Sequence, residues 1–135
     1  MIAFAELPKV AYDEMNTVHA EEVEQLNHIE TLLDTGAPET ALAQALEALF
    51  FHTREHFANE EYLMREVGFP AFEMHKAEHD RALNAFQLVM MEWRNRNDDE
   101  IIRDYICTDT PQWLQQHIAT MDTVTANFIA MVKGS

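Results

Sequence analysis

Cysteine, glycine and proline are all scarce in this chain: 135 residues hold one Cys, three Gly and four Pro. A lone Cys107 excludes an internal disulfide framework and fits a reducing compartment, so a cytoplasmic location is expected. So few turn formers exclude many short strands joined by tight turns and leave long helices. Basic residues are also few, nine Lys and Arg against 24 Asp and Glu, for a net charge of −15. That balance excludes nucleic acid and anionic membrane surfaces as partners. No apolar run approaches membrane-spanning length, and MIAFAELPKV lacks the basic start and apolar stretch of a secretory signal. What is present is an ordinary apolar fraction of 47% with eight methionines. Residues 1–135 read as one domain, large enough to bury a core without covalent staples.

Periodicity and punctuation divide the chain into four long helical stretches. The first runs from about Pro8 to Asp34 and ends at TGAP, where Gly36 and Pro38 close one helix and permit another. The second runs from about Glu39 to Val67. The joint GFP follows, with Gly68 as a left-handed terminator and Pro70 opening the third helix, which continues to about Asn95. After NRNDD comes a short helical piece from Ile101 to Cys107. TDTP then reads as a fresh start, Thr110 capping and Pro111 first in the helix, and the last helix reaches about Val132. Each long helix carries one apolar stripe, and such helices joined by short loops make an antiparallel up-down-up-down four-helix bundle, an all-α fold.

The stripes are interrupted by residues that do not belong in a core. Met15, Leu26, Ile29 and Leu33 share a face with His19 and Glu22. Leu42, Leu46, Leu49, Thr53 and Leu63 share one with His56 and Glu60. In the third helix His75 and His79 lie with Phe72, Phe86 and Trp93. In the last, His117 lies with Leu114, Met121, Thr125, Phe128 and Val132. His56 and Glu60 are four apart, as are His75 and His79, so each pair projects from one helix face. One buried histidine is ordinarily a hydrogen-bonded core residue. Five converging from four helices would cost several kcal/mol if unpaired, on the order of the penalty for burying polar groups without partners. A shared metal removes that cost, and imidazole with carboxylate suits first-row transition metals. His28 lies about 180° round the helix from His19 and reads as a surface residue. Glu21 and Glu61 also turn away, and His52 flanks the core or supports His56 from behind. No histidine follows a glutamate by three, so the ferritin-like Glu-x-x-His arrangement is excluded, and HExxH is absent.

Three stretches resemble the bacterial hemerythrin family of non-haem di-iron oxygen-binding proteins. HFANEEYLMREVGFPAFEMHKAEH is similar to its central signature of HFxxEExxM, a proline joint and HxxxH. WLQQHIATMD resembles its last-helix signature, and VAYDEMNTVH its first-helix entry. The resemblance implies two oxo- or hydroxo-bridged iron ions. His75, His79 and His117 would hold one; His19 and His56 would hold the other and leave one position open; Glu60 and Asp122 would bridge them. Dioxygen is then the implied partner, bound reversibly for storage, delivery or sensing, with Phe57, Trp113, Leu114 and Ile118 around it. The alternative is a redox enzyme that reduces dioxygen or peroxide at the same centre, or an oxygen-responsive sensor module. Asp122 follows His117 by five, about 140° round an ideal helix, so it must reach across or the helix must locally distort.

The sequence departs from that family at three places. Met15, Asn16, Thr17 and Val18 precede His19 where the family usually has Ile-Asp-x-Gln, Glu22 stands where a leucine lines the oxygen pocket, and Thr110-Pro111 interrupts the approach to the last helix. Three readings of Glu22 follow. It ligates or gates the open iron position, it stays protonated and gives a proton to bound oxygen, or the helix rotates so that Val23 fills the pocket and Glu22 reaches water.

Overall fold

The computed structural model describes residues 7–134. Residues 1–6, which carry most of the stretch read as lacking a secretory signal, lie outside the described residues. Helix α1 spans Asp13–Asp34, α2 Glu39–Val67 and α3 Phe72–Arg96. The fourth limb is a continuous helical run over 99–133. It comprises α4 (Asp99–Asp104), a π-turn (Tyr105–Asp109), α5 (Thr110–His117), a second π-turn (Ile118–Asp122) and α6 (Thr123–Lys133). No helix among the described residues is long and apolar enough to cross a membrane.

The ends of these helices follow local chemistry. Gly68 closes α2 at φ 67° and ψ 42°, a left-handed conformation that costs glycine nothing. Asn97 closes α3 at φ 51°, where asparagine is among the few tolerated side chains. Asp98 caps α4 by accepting the Glu100 amide at 3.1 Å. Pro70 lies two residues before α3 in the connecting turn and does not open it.

Two expected boundaries are corrected. The first helix begins at Asp13, not Pro8, because Asn16 holds the incoming chain off-helix. Its side-chain Oδ1 accepts the Val10 amide and its Nδ2 donates to the Val10 carbonyl, both at 2.9 Å, and Leu7 and Val10 are buried against the core. Thr110-Pro111 does not start a new helix. Thr110 has helical angles, and its amide reaches back five residues to the Tyr105 carbonyl. The wider turn takes in a proline that cannot donate a hydrogen bond.

The second π-turn resolves the spacing of His117 and Asp122: the helix distorts. The Thr123 amide reaches the Ile118 carbonyl five residues back, and the Thr123 hydroxyl donates to that carbonyl at 2.7 Å. One residue is thereby inserted without turning the helix, so the inward face shifts by one position. The buried residues beyond it are Asp122, Thr125, Ala126 and Ile129, whereas Met121 and Phe128 are half-buried and Val132 is 56% exposed. The expected stripe through Met121, Phe128 and Val132 is corrected accordingly.

Antiparallel packing stacks the buried layers along the bundle. Leu26, Ile29, Leu46, Phe86, Trp93, Ile102 and Ile106 build one apolar end, and Met15, Met64 and Ile129 lie towards the other. Between them sits a layer that buries histidine, glutamate and aspartate side chains among the apolar ones.

Candidate metal centre

Two carboxylates organise that layer. Glu60, one turn after His56 on α2, places Oε2 in close contact with His56 Nε2. Its Oε1 lies 3.3 Å from His79 Nε2 and 3.6 Å from His75 Nε2. Asp122 sets Oδ1 3.2 Å from both His75 Nε2 and His117 Nε2, and Oδ2 3.2 Å from His19 Nε2. Each carboxylate therefore stands between a set of three histidines and a set of two. Ligand-capable atoms of Glu60, His75, His79, His117 and Asp122 converge within 4.8 Å, and so do those of His19, His56 and Glu60. All are buried.

Behind the ring, other side chains hold the outer nitrogens. His56 Nδ1 pairs with Glu22 Oε1 at 2.5 Å, His79 Nδ1 with Glu61 Oε2 at 3.0 Å, and His75 Nδ1 with the Thr125 hydroxyl at 2.7 Å. The two carboxylate contacts require a proton on Nδ1 of His56 and His79, and all three contacts turn Nε2 inward. Phe57 stacks on His79 with ring centroids 3.9 Å apart and planes within 1° of parallel, and Trp113 stacks on His117 at 4.5 Å.

Without a cation this arrangement is poorly satisfied. Glu60 Oε1, Asp122 Oδ1 and His79 Nε2 are buried and have no hydrogen-bond partner. His75 Nε2 and His117 Nε2 lie 3.2 Å apart, two inward nitrogens facing each other. Each unpaired buried group costs about 1–3 kcal/mol, and a cation among them would serve several at once. Electrostatics agree. Burial by itself lowers the basicity of His56, but the negative charges of Glu22 and Glu60 outweigh it and hold its pKa well above the ordinary imidazole value. His79 is raised as well, burial opposing and Glu60 prevailing. Asp122 is held well below the usual carboxylate range: burial opposes this, and the imidazoles of His117, His19 and His75 around it prevail. The site thus favours positive charge opposite its carboxylates, and the donor set of imidazole and carboxylate fits a first-row transition metal.

The sequence model of the hemerythrin HHE cation binding domain matches residues 10–129. The chain belongs to the hemerythrin family. A bacteriohemerythrin of Aquifex aeolicus (strain VF5) is 38% identical over 113 residues, 83% of this chain and 85% of the relative. One from Ralstonia nicotianae is 32% identical over 94 residues, 70% of this chain and 67% of the relative. Another, from Stenotrophomonas maltophilia, is 30% identical over 119 residues, 87% and 74% of the two chains. No solved structure matches the chain significantly. It is a metal-binding four-helix bundle of the hemerythrin family.

The seven side chains that the resemblance singles out meet in one layer of this hemerythrin bundle. His28 is exposed. Glu22 joins neither convergent group: it is 5% exposed and engaged at the outer edge of His56, and Val23 is buried beside it, so the helix has not rotated to give Glu22 to water. Glu61, expected to turn away, reaches the back of His79. Thr125 was legible only as a core position, although a hydroxyl on an apolar stripe was a signal of a buried polar partner. His52 is half-buried and pairs with Glu21 at 3.2 Å. Phe57, Leu114 and Ile118 are buried and Trp113 half-buried. A mostly apolar cavity of about 350 Å³ is lined by Phe57, Trp113, Leu114 and Glu22 among others; Ile118 does not line it.

Proposed function

We propose that this chain is a non-haem di-iron protein that takes up dioxygen reversibly, for storage, delivery or sensing. The observation that carries the reading is the unequal sharing of ligands around two common carboxylates. One side offers His75, His79 and His117 with Glu60 and Asp122; the other offers only His19 and His56 with the same two carboxylates. On that reading His75, His79 and His117 would hold one iron, and His19 and His56 the other with fewer protein ligands. Bound in the reduced state, the two irons would supply affinity for dioxygen and the two electrons that its uptake requires.

The rest falls to the chain's own residues. Phe57 and Trp113 lie flat against His79 and His117 and keep water from the flanks of those rings. The cavity beside Phe57 offers a mostly apolar surface to a small uncharged gas. Two polar groups on its wall are already engaged: the Thr53 hydroxyl donates to the Leu49 carbonyl at 2.8 Å, and the Trp113 indole N–H donates to Glu78 at 2.9 Å. Glu22 accepts from His56 Nδ1, so its Oε1 is an occupied acceptor. A mostly apolar wall, with few proton donors beside bound dioxygen, favours its release over its reduction.

The test is an optical spectrum of iron-loaded, fully reduced protein before and after dioxygen, with iron counted in the same sample. The expected result is two iron ions per chain and a visible charge-transfer band that fades under vacuum and returns with dioxygen. Direct, irreversible conversion to the oxidised spectrum would overturn reversible uptake in favour of a redox enzyme.

A further inference from the structure

We propose that Glu22 is a positioning residue that fixes the imidazole of His56 and thereby sets how tightly the two-histidine side of the centre holds its metal. The proposal rests on the metal-centre reading above and adds to it a residue outside both convergent groups. Glu22 lies one turn after His19 on α1 and faces α2. Its Oε1 meets His56 Nδ1 at 2.5 Å, while His56 Nε2, on the opposite edge of the ring, faces Glu60 Oε2. The imidazole is clamped at both edges. The hydrogen bond at Nδ1 fixes the ring with Nε2 pointing into the centre, so its orientation is already the one a metal requires. A carboxylate partner also makes Nε2 a stronger donor.

The two sides of the centre are supported unequally. On the three-histidine side, Glu61 holds His79 and Thr125 holds His75. On the two-histidine side, His19 Nδ1 is buried without a partner. Among the described residues Glu22 is therefore the one side chain shown anchoring an outer nitrogen on that side. The geometry also explains why a helix buries a carboxylate at this point: it accepts a short hydrogen bond from a buried imidazole.

Replacing Glu22 tests this with metal retention, read without any oxygen chemistry. Wild type, Glu22→Leu and Glu22→Gln are loaded anaerobically with Fe(II) and challenged with a graded chelator, counting bound iron and recording helicity by circular dichroism. The expected result is biphasic. In Glu22→Leu one iron is retained as in wild type and the other is held about 10–100-fold more weakly, the usual cost of losing a histidine's outer partner. Glu22→Gln, whose side-chain carbonyl still accepts from Nδ1, falls between; it also keeps the test open should the leucine variant not fold. Unchanged retention in both variants would overturn the proposal, and so would equal weakening of both irons. Wild type that fails to retain two irons would instead overturn the di-iron reading itself.

Discussion

At the scale of single residues, the histidines of this chain divide by what stands at each ring nitrogen. His75 is buried with Nδ1 on Thr125 and Nε2 between Asp122, Glu60 and His117; His28 is exposed on the outer face of α1. His28→Ala should therefore shift stability by no more than about 0.5 kcal/mol and leave metal content unchanged, as is usual for surface substitutions. His75→Ala should lose metal from the three-histidine side and leave Thr125 and Asp122 short of a partner. Metal content by atomic emission, with thermal unfolding of the same samples, distinguishes the two, and equal loss from both would contradict the placement. Helical angle alone separated His28 from His19 in the sequence, because that argument needs only one helix. The supports behind the ring were harder to read. Glu61 and Thr125 reach histidines 18 and 50 residues away, across helices, and no spacing within a single helix encodes such a contact. Glu22 stood out as a carboxylate on an apolar stripe, but its partner His56 lies 34 residues away and appears only when α1 docks on α2.

At the scale of elements, helix existence was legible and helix phase was not. The bounds of α2 agree with the reading from Glu39 to Val67, since proline and glycine mark both ends. Errors gather where a side chain or an extra residue overrides the pattern: Asn16 holding Val10 before α1, and the two π-turns in the fourth limb. The second π-turn makes a sharp prediction. It accommodates one residue more than an α-turn over the same rotation, and Ala119 within it is exposed. Deleting Ala119 should convert the turn to α-helix, set His117 and Asp122 four apart on one face, and leave Thr125, Ala126 and Ile129 in the core. Helicity and melting temperature of the metal-free protein should hold. Inserting an alanine between Thr123 and Val124 should instead swing the following residues about 100° and expose Ile129, costing several kcal/mol. A deletion as damaging as the insertion would refute this account of the π-turn.

At the scale of the whole molecule, the polar layer ties folding to protons and metal in opposite senses. In the metal-free protein His56 and His79 have raised pKa values, so their contribution to stability is full below the unfolded imidazole value of about 6.5 and is lost as pH rises through their folded values. Asp122 is depressed, and its contribution is present above the unfolded carboxylate value of about 4 and is lost as pH falls through its folded value. Metal-free stability should therefore peak on the acid side of neutrality and decline towards alkaline pH. A metal reverses the histidine part of this dependence, because it takes the Nε2 lone pairs and must expel the protons that His56 and His79 hold. The melting temperature with excess Fe(II) under anaerobic conditions, minus that of the metal-free protein, should thus grow as pH is raised from about 5.5 to about 8. Binding should release protons into a weakly buffered solution, more of them at the lower pH. A difference that stays flat across this range, with no protons released, would mean that the metal does not compete for these histidine nitrogens. The layer that Glu60 and Asp122 organise would then not be where the metal sits.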